Sequence, residues 1–282
     1  MKANNQQMNS RHIKHISSSL YKKLHQHINK IAVHFDTEDI HQFRITYKKL
    51  RAFFRMLSLQ NNIEKAITPS KKLKKVYTLL GTIRDLQLQQ QRTIASNKNL
   101  KKIAPYINLL QQQIDKLKPE LLNLVKEKPV AKSKNKIAAK LPEKISPEGF
   151  KKFAQQKWQA IHHILATGNF SDENIHTIRK LLKDLLYNLK ADEAFDKQLS
   201  AMHIWKGKDA AYFADLLDEL GIFQDKCTAV TLLKTGWLNQ LNKPGQEQTK
   251  FLKKIWTAEK LHIKQALVKK LKVIFIILPP AN

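Results

Sequence analysis

The chain of 282 residues carries 51 Lys and Arg against 23 Asp and Glu, which gives a formal net charge of +28 at pH 7. A charge of this size exceeds what solubility requires and is typical of a protein whose partner is rich in negative charge, such as nucleic acid, polyphosphate or an anionic membrane. The hydrophobic content of 42% is near the globular norm, so we expect the chain to fold around an apolar core.

Cysteine usage and apolar runs indicate the compartment. The one cysteine, Cys227, excludes an intramolecular disulfide and fits a reducing compartment, where its simplest role is that of a small buried residue. Residues 1–10 lack the apolar segment of a signal peptide, and the longest apolar run, Val273–Leu278, is far shorter than the ~20 residues of a membrane helix. We expect a cytoplasmic protein with no membrane span.

Helical periodicity dominates the pattern of apolar residues. The chain has seven Gly and nine Pro, long segments of helical period and no Asn-Gly or Asp-Gly pair that would mark a tight hairpin. We therefore predict an all-α fold. The first helix is expected over about residues 10–33, where basic residues separate the members of an apolar stripe: Ile13, Ile16, Leu20, Leu24, Ile28 and Ile31.

The second predicted helix, Asp36–Leu59, carries the most informative pattern in the chain. Asp36 or Thr37 can cap its start, and Glu38 and Asp39 lie where the helix dipole favours acids. At ~100° per residue, one face of this helix is basic and the opposite face is apolar. The basic row consists of His41, Arg44, Lys48, Arg51 and Arg55, and the apolar face of Phe43, Tyr47, Leu50, Phe53, Phe54 and Leu57.

No acidic residue follows Asp39 in this helix. A solvent-exposed helix face normally mixes both signs of charge, and like charges one turn apart repel each other by about a few tenths of a kcal/mol per pair. We therefore expect an external polyanion to neutralise the row. A solvated basic face is the simpler alternative, which the missing acids disfavour.

A third helix is predicted to open at Pro69, because the missing amide hydrogen of proline suits the first helical position. A second basic cluster, able to lie beside the basic row, occupies the side opposite its apolar residues: Lys71, Lys74 and Lys75. Gly81 falls in the middle of this helix, where glycine costs ~1 kcal/mol relative to alanine. We therefore expect a neighbouring helix to approach closely at Gly81.

The fourth predicted helix, Asn99–Lys126, contains Pro105 and Pro119, either of which could kink or split it. Residues 127–147 combine three prolines and many lysines without a sustained period, so we predict a mobile basic connector there. The predicted organisation is a four-helix unit over residues 1–126, the connector over residues 127–147 and a second four-helix unit over residues 148–282.

The second unit repeats the pattern of the first. A helix over Glu148–Thr167 ends before Gly168, and Ser171 can cap the next helix. In that next helix, basic positions recur at a constant offset of 135 residues: His41 with His176, Arg44 with Arg179, Lys48 with Lys183 and Arg55 with Lys190. At an offset of 140 residues, Gly81 and Asp85 recur as Gly221 and Asp225. We infer duplicated units that pack as a pseudo-symmetric pair around a shared groove.

The order of these motifs resembles a known family. His-x-x-Arg-x-x-x-Lys-Lys-x-Arg from His41, followed about forty residues later by Leu-Gly-x-x-Arg-Asp from Leu80, is similar to the CHAD domain, the conserved-histidine α-helical domain. Both motifs return in the second half, so the resemblance covers nearly the whole chain. It implies a compact domain of two four-helix repeats whose basic inner surface binds inorganic polyphosphate, without catalysis and without a cofactor.

The resemblance also assigns site residues by position. They are His41, Arg44, Lys48, Lys49, Arg51 and Arg55 in the first half and His176, Arg179, Lys183 and Lys190 in the second. Lys71, Lys74 and Lys75 extend this predicted site from the third helix. The second half departs from the pattern and is expected to bind more weakly, because Asp184 and Leu186 follow Lys183, and the counterparts of the three lysines are Ala211, Ala214 and Asp215.

Charge alone does not distinguish a phosphoanhydride chain from nucleic acid, so nucleic-acid binding is the principal alternative. Single-strand binders interleave aromatic residues with cations for base stacking. Phe43, Phe53 and Phe54 instead lie on the buried side of the row, which favours a ligand without bases. A membrane-surface role for the basic first helix is the third alternative, disfavoured by the ordinary width of its apolar stripe.

Other chemistry finds little support. The histidine pairs His12 with His15 and His162 with His163 lack Cys or carboxylate ligands at useful spacing, so no metal is expected. The sequence contains no phosphate-cradling glycine loop, nucleophile elbow or HExxH motif, and we expect no enzyme activity. Asp85 and Asp225 are interpreted as structural ion-pair partners, while His41 and His176 fit either a structural or a ligand-binding role. Polyphosphate granules are a location open to such a protein.

Overall fold

The computed structural model describes residues 8–59, 66–96, 100–190, 208–234 and 236–277. In these ranges the all-α prediction is confirmed, with one short antiparallel strand pair, β1 Met8–Asn9 and β2 Lys144–Ile145. A 3-10 helix covers Gly236–Gln240. The α-helices are α1 Ser10–His34, α2 Thr37–Leu57, α3 Lys71–Ala95, α4 Leu100–Lys126, α5 Pro129–Ala138, α6 Pro147–Ala166, α7 Asp172–Leu189, α8 Ala210–Leu232 and α9 Lys243–Ile277.

Side-chain caps are present at the two helix starts where the sequence predicts them, those of α2 and α7. The Asp36 carboxylate accepts hydrogen bonds from the amides of Glu38 and Asp39 at 2.8 and 3.0 Å, and Ser171 accepts one from the amide of Asn174. Helix α3 begins later than predicted, because Ser70 caps it and Pro69 precedes that cap. Helix α4 runs without interruption through Pro105 and Pro119.

The core extends through both halves of the chain. The apolar face of α2 is buried as predicted, and Phe43, Phe53 and Phe54 are each at most 1% exposed. Helix α1 packs against α2, α3 against α4, and α7 against α6 and α8. Helix α2 also packs against α7, so the two helices that carry the predicted basic rows lie side by side. The division into two four-helix units stays a prediction.

Residues 129–138 differ from the mobile connector predicted for them. They form helix α5, which packs against α1 and α3 and buries Val130, Ser133 and Ile137. Their spacing of three and four residues places these side chains on one helix face, a pattern that the intervening lysines obscured. The Ser133 hydroxyl lies 3.0 Å from the Tyr21 hydroxyl and accepts a hydrogen bond from the Ser70 amide at 3.0 Å. The segment is therefore fixed to both neighbouring helices.

Candidate anion-binding site

Seven predicted site residues come together where α2 packs against α7. We call them the central cluster: His41, Arg44, Lys48 and Arg51 on α2, with His176, Arg179 and Lys183 on α7. Lys48 lies at the middle of this group, because it experiences the charges of four other members: Lys183, Arg44, Arg179 and Arg51. Side chains from both helices therefore contribute to one concentration of positive charge.

Burial and neighbouring charges lower the pKa of the lysines and histidines of the central cluster. Burial, followed by the charge of Lys183, lowers the pKa of Lys48 to about 7. Burial, followed by the charge of Arg179, lowers the pKa of Lys183 to about 8. Burial is also the main cause that lowers the pKa of both histidines, with Arg84 acting next on His41 and Lys180 next on His176. An anion at this place would favour the protonated forms and reverse these shifts.

Gly81 gives space to an arginine rather than to a neighbouring helix backbone. A Cβ atom at Gly81 would lie 2.0 Å from Nη1 of Arg44, far inside van der Waals contact. The same Nη1 donates a hydrogen bond of 3.1 Å to the carbonyl of Tyr77, and the guanidinium lies 4.8 Å from the centre of the Tyr77 ring. Tyr77 in turn stacks on Tyr47 with ring centres 4.3 Å apart. Helix α3 thus fixes the position of Arg44.

The second half contains the same kind of contact. A Cβ atom at Gly221 on α8 would lie 3.2 Å from Nη2 of Arg179. The two motifs detected separately in the sequence therefore meet in space in each half, as Arg44 with Gly81 and Arg179 with Gly221. The Nε atom of Arg179 is buried and makes no hydrogen bond with the described residues, as is also the case for Arg51.

Arg55, although part of the predicted row, is already neutralised within the protein. Its Nη1 donates to the Asp184 carboxylate at 2.7 Å, and Nζ of Lys157 lies 3.2 Å from the same carboxylate oxygen. Asp184 is only 6% exposed. The acidic departure from the family pattern at position 184 therefore provides an internal counter-ion that joins α2, α6 and α7.

The remaining predicted lysines lie outside the central cluster. Lys49 and Lys190 are exposed and form an outer patch with Lys23 of α1, since burial and then the charges of Lys23 and Lys190 lower the pKa of Lys49. On α3, Lys75 pairs with Glu120 of α4 at 2.8 Å, while Lys71 and Lys74 are exposed. Lys74 precedes Gly81 by two turns and so shares its face of the helix to within about 20°.

Several neighbours of the central cluster were missed in the sequence. Tyr77 and Tyr187 adjoin its arginines, and Arg84 donates a 3.1 Å hydrogen bond to the carbonyl of Thr37. Arg84 belongs to the Leu-Gly-x-x-Arg-Asp motif, which was therefore available as a signal. Tyr77 precedes Gly81 by about one turn, but only the fold shows that its ring supports Arg44.

Carboxylates border the cluster on the α3 and α8 side. Burial raises the pKa of Asp85, Arg44 lowers it and Asp225 raises it, so these three groups lie near one another. Asp225 lies 3.3 Å from Nη2 of Arg92, which confirms the ion-pair role predicted for it. The charges of Asp218 and Asp225 also raise the pKa of Lys183, against the larger effects of burial and Arg179. Among the described residues, no group of three His, Cys, Asp or Glu side chains could hold a metal ion.

Comparisons with known proteins agree with this architecture. The family model of the CHAD domain matches residues 16–234. The crystal structure of the CHAD domain from the plant Ricinus communis superposes with a TM-score of 0.74 at 14% identity, covering 100% of this chain and 96% of that chain, a likeness of fold. No curated protein matches the sequence. None of the described helices is long and apolar enough to cross a membrane. Because the family match spans most of its length, the chain belongs to the CHAD domain family.

Proposed function

We propose that this protein binds inorganic polyphosphate in the central cluster and catalyses no reaction on it. The observation that carries the proposal is the pair Lys48 and Lys183, which face each other from two helices with pKa values lowered to about 7 and about 8. Burial is the largest cause of both shifts and neighbouring cations add to it, and an anion placed between the helices would favour the protonated form of both lysines. A polymer with one negative charge or more per unit suits a row of cations better than a single small anion does.

The two kinds of basic side chain would serve the ligand differently. Arg44 and Arg179, each packed against a glycine, present planar guanidinium groups suited to phosphoryl oxygens. Lys48 and Lys183 act as point charges that gain protons when the ligand binds. We further propose that the chain is a duplicated pair of four-helix units, which the recurrence of the arginine–glycine contact supports.

Nucleic-acid binding is the alternative, because aromatic side chains lie beside the cluster and bases stack on aromatic rings. A base needs a free aromatic face to stack on. Tyr77 stacks on Tyr47 and carries Arg44 over its ring, so these contacts already occupy it. The same arrangement therefore supports a ligand made of phosphate alone. We also propose a cytoplasmic location, with polyphosphate granules as the place where the ligand is stored.

The deciding experiment is competition for a labelled polyphosphate of defined length. Single-stranded and duplex nucleic acid of equal charge serve as competitors, and we expect both to displace the label poorly. The double variant Lys48→Glu, Arg51→Glu should lose affinity for polyphosphate by a factor of at least about 100, because each charge-assisted contact is worth ~1.5–3 kcal/mol.

The matched control is Lys250→Glu, Lys254→Glu, which makes the same charge change on exposed positions of α9. It should retain nearly the affinity of the natural protein. Equal losses in the two double variants would remove the central cluster from the site. Preferential displacement by nucleic acid would establish the alternative instead.

A further inference from the structure

Helices α1 and α5 are the two described α-helices without an acidic residue. They are far apart in the sequence but pack against each other. Five Lys and Arg lie on α1 and three on α5: Arg11, Lys14, Lys22, Lys23, Lys30, Lys132, Lys134 and Lys136. The fold therefore joins two helices that carry no acid, in a region that belongs to neither of the predicted basic rows.

A cleft of about 600 Å³ opens between these two helices. Its α1 wall carries His15, Ser18, Ser19, Lys22 and His25, and its α5 wall carries Val130, Ala131 and Lys134. None of these residues belongs to the central cluster. Lysine ammonium groups, hydroxyls and imidazoles are all able to donate hydrogen bonds to phosphoryl oxygens.

The two lysines of this cleft have no counter-ion among the residues that the structure describes. Lys30 and His27, further along α1, lie 4.0 and 3.0 Å from the carboxylate of Asp39. Lys22 and Lys134 make no ion pair with any described carboxylate. Both lysines are exposed, so an incoming anion meets no described carboxylate that competes for their charge.

The walls of the cleft are held in place independently of any ligand. Tyr21, which also lines the cleft, contacts the Ser133 hydroxyl at 3.0 Å, and Val130 is only 3% exposed. A fixed separation between the walls means that little ordering remains to be done when an anion enters.

A basic surface links this cleft to the α2–α7 pair. Lys23 adjoins Lys22 in the sequence, and its charge acts on Lys49 of α2 together with that of Lys190 at the end of α7. These three lysines are exposed. A phosphate chain leaving the α2–α7 region can therefore follow positive charge toward α1.

We infer that the α1–α5 cleft is a second anion site, which holds an outlying segment of the same phosphate chain that occupies the central cluster. The inference rests on the proposed function and adds a dependence on chain length. A chain too short to reach both sites gains nothing from the cleft. A long chain binds the cleft at high effective concentration once the central cluster holds it.

The test compares tripolyphosphate with a polyphosphate of about one hundred units, each titrated against three proteins. These are the natural protein, the cleft variant Lys22→Glu, Lys134→Glu and the charge-matched control Lys250→Glu, Lys254→Glu. We expect the cleft variant to bind the long chain about tenfold more weakly and tripolyphosphate with unchanged affinity. The control should match the natural protein for both ligands, and circular dichroism should show equal helix content in all three.

The outcomes separate the two proposals. If the natural protein binds neither ligand, the proposed function fails. If it binds both and the cleft variant retains the full long-chain affinity, the second site alone is refuted. If the cleft variant loses affinity equally for both ligands, or no more than the control does, the loss reflects net charge and the second site is again refuted.

Discussion

At the scale of single residues, the contact between Gly81 and Arg44 shows how a glycine with a helix-propensity cost can serve a binding site. Alanine is favoured over glycine in a helix interior by about 1 kcal/mol. At position 81 its methyl group would overlap Nη1 of Arg44, which lies at the end of a flexible side chain and can move away. The substitution would then weaken ligand binding rather than destabilise the fold.

The variant Gly81→Ala should therefore be as stable as the natural protein or slightly more so, yet bind polyphosphate about tenfold more weakly. Its Arg44 loses the hydrogen bond to the Tyr77 carbonyl and leaves the cluster. Gly221→Ala is the matched comparison, with a smaller expected loss because its Cβ would lie 3.2 Å from Arg179. Thermal unfolding and ligand titration measure the two effects. Unchanged affinity in Gly81→Ala would show that the position of Arg44 is irrelevant to binding.

Lys48 predicts how affinity depends on pH. Its pKa is about 7 in the free protein and rises when a polyanion binds, so binding takes up protons above pH 7. Affinity should be highest below the pKa of Lys48 in the free protein. It should fall as the pH rises through the higher pKa of Lys48 in the complex. Titrations between about pH 6 and about pH 9 should show this fall, and Lys48→Arg, which stays charged, should reduce it. An identical pH profile in that variant would exclude Lys48 as the titrating group.

Stability of the free protein should change in the opposite direction. Between pH 7 and the ordinary lysine value of 10.5, the unfolded chain holds a proton that folded Lys48 lacks. Unfolding is therefore accompanied by proton uptake, and the free energy of unfolding contributed by this group rises with pH across that window.

At the scale of helices, Asp184 joins three of them by pairing with Arg55 and Lys157. Asp184→Asn should lower the free energy of unfolding by about 1 kcal/mol, a modest value because the Arg55 side chain is 43% exposed. The same change frees two cations, so affinity for polyphosphate should rise roughly two- to fivefold. Chemical denaturation measures the expected decrease in the free energy of unfolding, and ligand titration measures the expected increase in affinity.

Asp115→Asn is a suitable control for that experiment, because Asp115 pairs with Lys118 on the outer surface of α4. It removes a carboxylate from an ion pair that no proposed site contains, and neither quantity should change appreciably. If Asp184→Asn lost affinity, Arg55 would need its partner in order to serve the ligand, and the internal counter-ion interpretation would be wrong.

Helices could be predicted from the sequence wherever the deciding signal was local. The cap at Asp36 and the buried face that includes Phe43 and Phe53 depend on residues a few positions apart, and both predictions are confirmed. Helix α5 was missed because its buried side chains are few and one of them, Ser133, is polar. The pairing of Arg55 with Asp184 joins residues 129 positions apart, which periodicity within one helix does not reveal.

At the scale of the whole molecule, the described cations behind the net charge of +28 fall into two groups, those paired with acids and those left unpaired. Lysines such as Lys226 and Lys264 lie in ion pairs with Glu259 and Asp172 and hold helices together. The central cluster and the α1–α5 cleft instead concentrate cations that form no ion pair within the described part of the chain. A polyanion would therefore bind where the cations of the folded chain are not already neutralised, and in the central cluster it would also offset their mutual repulsion.

This arrangement predicts that salt has opposite effects on the free protein and on the complex. Added ions screen the repulsion among like charges, so raising NaCl from about 50 mM to about 200 mM should increase the thermal stability of the free protein. The same increase should weaken polyphosphate binding, because the counterions that binding releases are then less dilute. Differential scanning fluorimetry and titration over one salt series measure both trends, and sucrose at matched osmolality serves as the uncharged control. If stability and affinity both fell with salt, attraction within ion pairs would outweigh repulsion among like charges in the free protein. The cations of the central cluster would then not be the main electrostatic contribution to its stability.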